Sequence, residues 1–240
     1  MKAIILAAGR GSRMKSLTYE RPKCLVELRG KPLLERQLTA LREAGIEDIG
    51  IVTGYKREAL TSYDLVEFYN PRWDETNMVS SLVCAHEWLQ EEACIVSYSD
   101  IFYESSGVAL LMECNADIAI TYDPNWLDLW KGRFEDPLSD AETFKLNKNG
   151  SLNEIGQEPK SINEIKGQYM GLLQFNPAGW DELCRIRAML DKTEQDGLHM
   201  TWLLQKIVKE NRTPIIAIPY MKEWGEVDSE DDLFFYREKF

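Results

Sequence analysis

The chain has 240 residues, 44% of them hydrophobic and 28% charged, enough for one large domain with its own core. Its formal net charge of −12 and sequence pI near 4.8 argue against a nucleic-acid partner held by counterion release. The five cysteines (Cys24, Cys84, Cys94, Cys114 and Cys184) form an odd set with no close pair, so neither a disulfide framework nor a zinc site is expected.

The first apolar run, Ala3-Ile4-Ile5-Leu6, reads as a buried strand, too short for a signal peptide and without its cleavage site. No stretch reaches the roughly 20 apolar residues of a membrane span, so a cytoplasmic protein with no membrane partner is expected. Ala7, Ala8, Gly9 and Gly11 follow, small enough to let a ligand approach the backbone. Arg10, Arg13, Lys15, Arg21 and Lys23 then crowd around a single acid, Glu20. On so acidic a chain this local excess predicts a specific polyanion. Turns permitted by glycine aim N–H groups inward, and the side chains neutralise what arrives. The loop is expected to cradle the phosphates of a nucleotide.

Lys31-Pro32-Leu33 opens a helical pattern with Leu33, Leu34, Leu38 and Leu41 on one face and Gly45 at its end. A buried strand at 48–53, a short polar helix at 56–62 and a strand near 65–69 come next. Asn77 or Ser80 caps a helix running through Leu89, and a strand at 93–97 leads directly into Ser99-Asp100. A helix near 105–115 and a strand at 117–122 complete an alternating half. Such alternation predicts an α/β fold with a three-layer, mostly parallel sheet, whose ligands sit beyond the carboxyl ends of the strands. The loop at 7–13 and Asp100 both lie at such ends.

Residues 123–141, rich in Trp, Pro and acids, look like an excursion over the crevice, and Asn147-Lys148-Asn149-Gly150 is a hairpin turn. A strand within 165–175, helices at 177–191 and 198–210, a strand at 214–218 and a final acidic helix close the chain. With no repeat or low-complexity linker, residues 1–240 are expected to form a single domain. Residues 1–122 would be its nucleotide-binding half and 123–240 its acceptor-binding half.

Gly9-Arg10-Gly11-Ser12-Arg13-Met14 fails as a dinucleotide fingerprint, because Met14 replaces the third glycine and no acid ends the next strand. A Walker A loop would need Gly-Lys-Ser/Thr, which is absent. The longer pattern, Ile4 to Met14 followed by Arg21-Pro22-Lys23-Cys24-Leu25-Val26, resembles the signature of the sugar-phosphate nucleotidyltransferase superfamily. Lys31 to Glu35 and Ser99-Asp100 are similar to later marks of that superfamily. Asn77 to Leu82 and Glu226 to Ser229 resemble the bacterial choline-phosphate cytidylyltransferase branch.

The resemblance implies a Rossmann-like nucleotidyltransferase fold with a small inserted subregion over the crevice. It implies that Leu6, Ala7, Ala8, Gly9, Arg10, Gly11 and Ser12 hold the nucleotide, with Asn77 and Ser80 near the base. Arg13 and Lys23 would neutralise the triphosphate. Asp100 and Asp228, joined by Glu226, would bind Mg²⁺. Capping of the segments that follow is the competing role for Asp100 and Asp228. The chain departs from the superfamily at Gln157-Glu158-Pro159-Lys160, where a Glu-Lys-Pro is usual, and Lys160 is the candidate for the acceptor phosphate.

The reaction implied is attack by an acceptor phosphate or phosphonate oxygen on the α-phosphorus of CTP, with loss of pyrophosphate. Such a nucleophile is already largely anionic at pH 7, its second pKa being about 6, so no strong base is needed. That suits a chain whose two histidines, His86 and His199, lie in no motif. For the acceptor, Trp73, Trp126, Trp130 and Tyr169 are candidates for an aromatic box around a quaternary ammonium, with Asp123 and Asp128 as counter-charges. Trp126 and Trp130, at i and i+4, are equally suited to packing one helix face on the core. Phosphocholine, aminoethylphosphonate, a phosphorylated amino-acid amide and a sugar 1-phosphate stand as acceptors. A non-catalytic nucleotide-sensing module is the reading from a different class. The oligomeric state is not legible.

Overall fold

Runs of apolar residues alternating with helices build a seven-stranded sheet in the computed structural model, which describes residues 1–239. Its strands are β1 (Lys2–Ala7), β2 (Ile49–Thr53), β3 (Val66–Tyr69), β4 (Cys94–Tyr98), β5 (Ile118–Asp123), β6 (Gln168–Phe175) and β7 (Ile215–Pro219). Their order is β7-β5-β6-β4-β1-β2-β3. All neighbours run parallel except β6, which is antiparallel to β4 and β5. The mixed, mostly parallel sheet expected from the alternation is therefore present.

β1 lies inside the sheet between β4 and β2, with Ala3, Ile4 and Ile5 almost fully buried, which is why it reads as an unbroken apolar run. Helices cover both faces. Leu172 of β6 packs where α4 (Ser105–Met112) brings Gly107 close, while Phe175 meets Trp180 of α6 (Pro177–Ala188) edge-on. Residues 172 and 175 alternate across the sheet, so α4 and α6 lie on opposite faces. Helix α1 (Leu33–Glu43) joins α4; α3 (His86–Glu91) and α8 (Met200–Glu210) join α6.

Several expectations are adjusted. Pro32 does not enter the first helical turn. Lys31–Pro32 pairs with Glu27–Leu28 around Arg29 and Gly30, both at positive φ, in a tight hairpin that ends where α1 begins. The helix expected through Leu89 is two helices, α2 (Met78–Val83) and α3, because the chain leaves helical geometry at the buried Ala85. The helix predicted to reach residue 191 stops at Ala188. Asp191 and Glu194 then form a capping box that starts α7 (Lys192–Asp196). Residues 123–141 are not simply an excursion. Within them α5 (Trp126–Arg133) buries Trp126, Leu129 and Trp130 and packs against the last helix, α9 (Glu230–Lys239).

One pairing decides the site. Ile101–Tyr103 runs antiparallel to Trp224–Glu226, and the Val227 N–H donates to the Asp100 carbonyl at 2.9 Å. Residues more than a hundred positions apart in the chain are thereby fixed side by side just beyond the end of β4.

Candidate active site

The loop after β1 turns at Gly11, whose φ of +68° favours glycine. A Cβ there would lie 2.8 Å from the Cβ of Lys23, so the missing side chain is also what lets Lys23 pass beneath the loop. Pro22 holds the backbone extended just before Lys23. Lys23 then reaches Asp100 Oδ2 at 2.7 Å and Asp228 Oδ1 at 2.6 Å. Arg13 donates to the same Asp228 oxygen at 2.7 Å. Burial alone would make Lys23 easier to deprotonate, but Asp100, Asp228 and Glu226 outweigh it and raise its pKa.

Asp100, Glu226 and Asp228 each bring a carboxylate oxygen to within 4.8 Å of the others. Burial, then the charges of Asp228 and Asp100, push Glu226 up to about 8. Burial pushes Asp228 upward too, yet Lys23, Arg13 and Arg133 prevail and hold it below the ordinary carboxylate range. Asp100 Oδ1 is buried with no hydrogen-bond partner among the described residues. Hard oxygen donors, mutual repulsion and one orphaned oxygen fit a small divalent cation such as Mg²⁺.

Two cavities meet at this cluster. One, of about 310 Å³, is lined by Leu6, Ala8, Gly9, Gly11, Ser12, Arg13, Lys23, Asn77 and Asp100, with Trp73, Thr76 and Ser81. The other, of about 210 Å³, is lined by Trp130, Tyr169, Glu226 and Asp228, with Asp140, Glu142, Gln168, His199 and Thr201. Arg13, Met78 and Tyr98 belong to both. Asn77 also places its side-chain amide 3.0 Å from His199 Nε2, tying the two walls together.

Other candidates are placed elsewhere. Ala7 is buried at the end of β1. Arg10 is exposed and stacks over Tyr19 and Tyr55. Ser80 turns away and donates to the Gln195 carbonyl at 2.9 Å, so its neighbour Ser81 faces the cavity. Trp73 lines the first cavity rather than an acceptor box. Asp123 accepts from Trp224 Nε1 at 2.9 Å and from the Asn125 N–H, a structural role outside both cavities. Asp128 lies on the exposed side of α5. Lys160 is exposed, and its backbone N–H donates to Glu164 Oε2 at 2.7 Å. His86 accepts from Trp180 Nε1 at 2.8 Å, a structural contact.

Trp126 is 3% exposed and packs edge-on against Trp130, away from either cavity. Trp126→Ala is therefore expected to destabilise the fold by about 3 kcal/mol or more, as large-to-small core changes do, and to leave the ratio of the two substrate KM values unchanged. Urea unfolding together with KM measurements checks this. Sequence reasoning missed Asp140, Glu142, Gln168, His199 and Arg133. The only signal was the acidic character of 123–141, because these residues come from four separate segments.

An arrangement that sets two ligand cavities end to end over cations and carboxylates can join two phosphate-bearing molecules, the work of a nucleotidyltransferase. The chain belongs to the MobA-like NTP transferase domain family, whose model matches residues 3–144. It is 36% identical over 256 residues to the CTP:phosphoglutamine cytidylyltransferase of Campylobacter jejuni, with 100% of both chains covered. It is 38% identical over 221 residues to the choline-phosphate cytidylyltransferase of Streptococcus pneumoniae, covering 88% of this chain and 84% of that one. Among solved structures, the inositol-1-phosphate CTP transferase from T. maritima superposes with a TM-score of 0.79 at 17% identity, covering 98% of this chain and 94% of that one. The CTP:phosphocholine cytidylyltransferase from Streptococcus pneumoniae gives 0.75 at 22% identity, covering 99% and 98%. At those identities the structures speak for the fold alone. The family read from the N-terminal signature is the one found.

Proposed function

We propose that this nucleotidyltransferase moves CMP from CTP to a small acceptor with a phosphate or phosphonate at one end and an amine at the other. The observation that carries this reading is the junction of the two cavities at Arg13, beside Lys23 and the three carboxylates. The cytidylyltransferase names of these two relatives support the choice of base.

CTP would occupy the larger cavity, with its phosphates over the loop at 8–12 and its base toward Trp73 and Asn77. The acceptor would occupy the smaller one. Its phosphate oxygen attacks the α-phosphorus, the bond to the β-phosphate oxygen breaks, and pyrophosphate leaves with the electron pair. Lys23 and Arg13 neutralise the charge gathering on the phosphates, so positioning and electrostatics supply the catalysis. Asp100, Glu226 and Asp228 would hold Mg²⁺, which when bound supplies further neutralisation of phosphate oxygens.

The amine end is argued from Asp140 and Glu142. Burial raises the pKa of both, against the pull of Arg133 and Arg13 at Asp140 but with no cation among the described residues opposing it at Glu142, which is left short of a counter-charge. A cationic head group would supply that charge, and Tyr98, Tyr169 and Trp130 offer ring faces for its alkyl part.

The test is pyrophosphate release with Mg²⁺, crossing four triphosphates with phosphocholine, aminoethylphosphonate, phosphorylated glutamine and sugar 1-phosphates. Turnover is expected with CTP and an amine-bearing acceptor. Glu142→Gln is expected to raise that acceptor's KM about tenfold, the loss of one charge-assisted contact, with the KM for CTP unchanged. Turnover with a sugar phosphate only would overturn the head-group assignment. Tight nucleotide binding with silence across the grid would favour a sensing module.

A further inference from the structure

Helix α5 ends in Arg133, whose side chain is fully buried, 0% exposed, behind the carboxylates that line the smaller cavity. Its Nε donates to Asp232 Oδ1 at 2.8 Å. Nη1 lies 3.6 Å from Glu226 Oε2, and Nη2 lies 3.5 Å from Asp228 Oδ2. Among the described residues neither amino group has a hydrogen-bond partner. The rings of Trp130 and Phe134 flank the guanidinium at 4.9 and 5.0 Å. Asp232 in turn accepts the N–H groups of Asp228 and Ser229 and the Ser229 hydroxyl, each at 2.9 Å. One guanidinium thus faces two of the three clustered carboxylates directly and grips the backbone of one of them through Asp232.

We infer that Arg133 is a positioning residue: it fixes the directions in which Asp228 and Glu226 present their oxygens to a divalent cation. The inference rests on reading Asp100, Glu226 and Asp228 as the cation site. Only a planar fork reaches three carboxylates at once; a lysine in its place carries the charge but aims at one. Carboxylate ligands depend on such outer partners for their orientation. Trp130, one turn earlier on α5, lines the acceptor cavity, so the same helix registers the acceptor's wall against the carboxylates.

The sign of the effect separates positioning from simple charge. A buried cation repels a divalent ion, so if Arg133 acted by charge alone its removal would tighten metal binding. If it acts by orientation, removal weakens binding although repulsion is relieved. The experiment titrates the nucleotide-free full-length protein with Mn²⁺, followed by electron paramagnetic resonance, for wild type, Arg133→Lys, Arg133→Met and Asp100→Asn. Turnover at saturating Mg²⁺ and melting temperature are recorded alongside.

Arg133→Lys is expected to bind Mn²⁺ about 10- to 100-fold more weakly and to lose kcat with little change in the KM for CTP. Arg133→Met is expected to fall at least as far. Unchanged or tighter Mn²⁺ binding in a folded Arg133 variant overturns the inference, as does a lowered melting temperature with intact metal affinity. Should Arg133→Met fail to fold, Asp232→Asn keeps the volume and loosens the hold on Asp228, and weaker Mn²⁺ binding is again required. Wild-type binding that Asp100→Asn abolishes upholds the cation site independently of Arg133. Wild-type binding that Asp100→Asn leaves intact, or no wild-type binding at all, removes the cation site and the inference with it.

Discussion

Replacing Asp100 by Asn is expected to lower kcat by about 10²- to 10³-fold while moving the melting temperature by only a few degrees. The two effects separate because the carboxylate does little for folding. Its side chain is 22% exposed, and Lys23, its ion-pair partner, keeps a second carboxylate in Asp228. Losing the pair with Lys23 is destabilising. Losing the negative charge also relieves Glu226, whose pKa is pushed up to about 8 partly by Asp100, and this is stabilising. The terms oppose each other. Turnover has no such compensation, since an amide cannot replace an anionic oxygen donor for a hard cation. A kcat within fivefold of wild type at saturating Mg²⁺ would mean that the cation is held elsewhere.

The parts of the site that were legible in the sequence are those written in a local order. The loop after β1 announces itself by small residues between an apolar run and a cluster of cations, and Asp100 by following a strand directly. Both signals are local in the chain, and strand ends are where such folds gather ligands. Glu226 and Asp228 came through the resemblance, and the structure gives the physical link: Trp224–Glu226 is laid beside Ile101–Tyr103.

What was not legible depends on which face of an element docks. Trp126 and Trp130 are one helical turn apart and equally apolar, and only the packing of α5 on α9 decides that Trp130 meets the cavity while Trp126 meets the core. Ser80 and Ser81 differ by one position on α2, and the contact of Ser80 with Gln195, far along the chain, settles which of them faces the larger of the two cavities at the carboxylate cluster. Asp123 reads as a free acid in a Trp-rich segment until Trp224, a hundred residues on, claims it. Asp140 and Glu142 sit in no motif. Burial, which no local pattern encodes, is what singles them out.

Lys23→Met is expected to damage both turnover and folding, and the pH dependence of the folding loss identifies its cause. Lys23 is 7% exposed and holds two carboxylates of the same cluster, Asp100 and Asp228. Methionine keeps the apolar stem out to the ε position, including the part that passes under Gly11, so what is lost is the ammonium group. Turnover should fall about 10³-fold, the scale of removing a preorganised cation from a developing charge. Breaking a buried pair from one side commonly costs about 3–5 kcal/mol; Arg13 and Arg133 still flank Asp228, which puts the expected loss at about 2–3 kcal/mol near pH 7. In the wild type Asp228 titrates below the ordinary carboxylate range. Its contribution to stability is therefore present above the unfolded value of about 3.9 and is lost as pH falls through the lowered folded value. Without Lys23 the burial that opposes ionisation is less well opposed, and Asp228 moves upward. The variant's deficit should then be largest at neutral pH and shrink as pH falls toward 5, where the stranded carboxyl begins to take up a proton. Urea midpoints for both proteins at pH 7.5 and pH 5 measure that gap. A gap of equal size at the two pH values would mean that Lys23 supports the loop by packing rather than by neutralising Asp100 and Asp228.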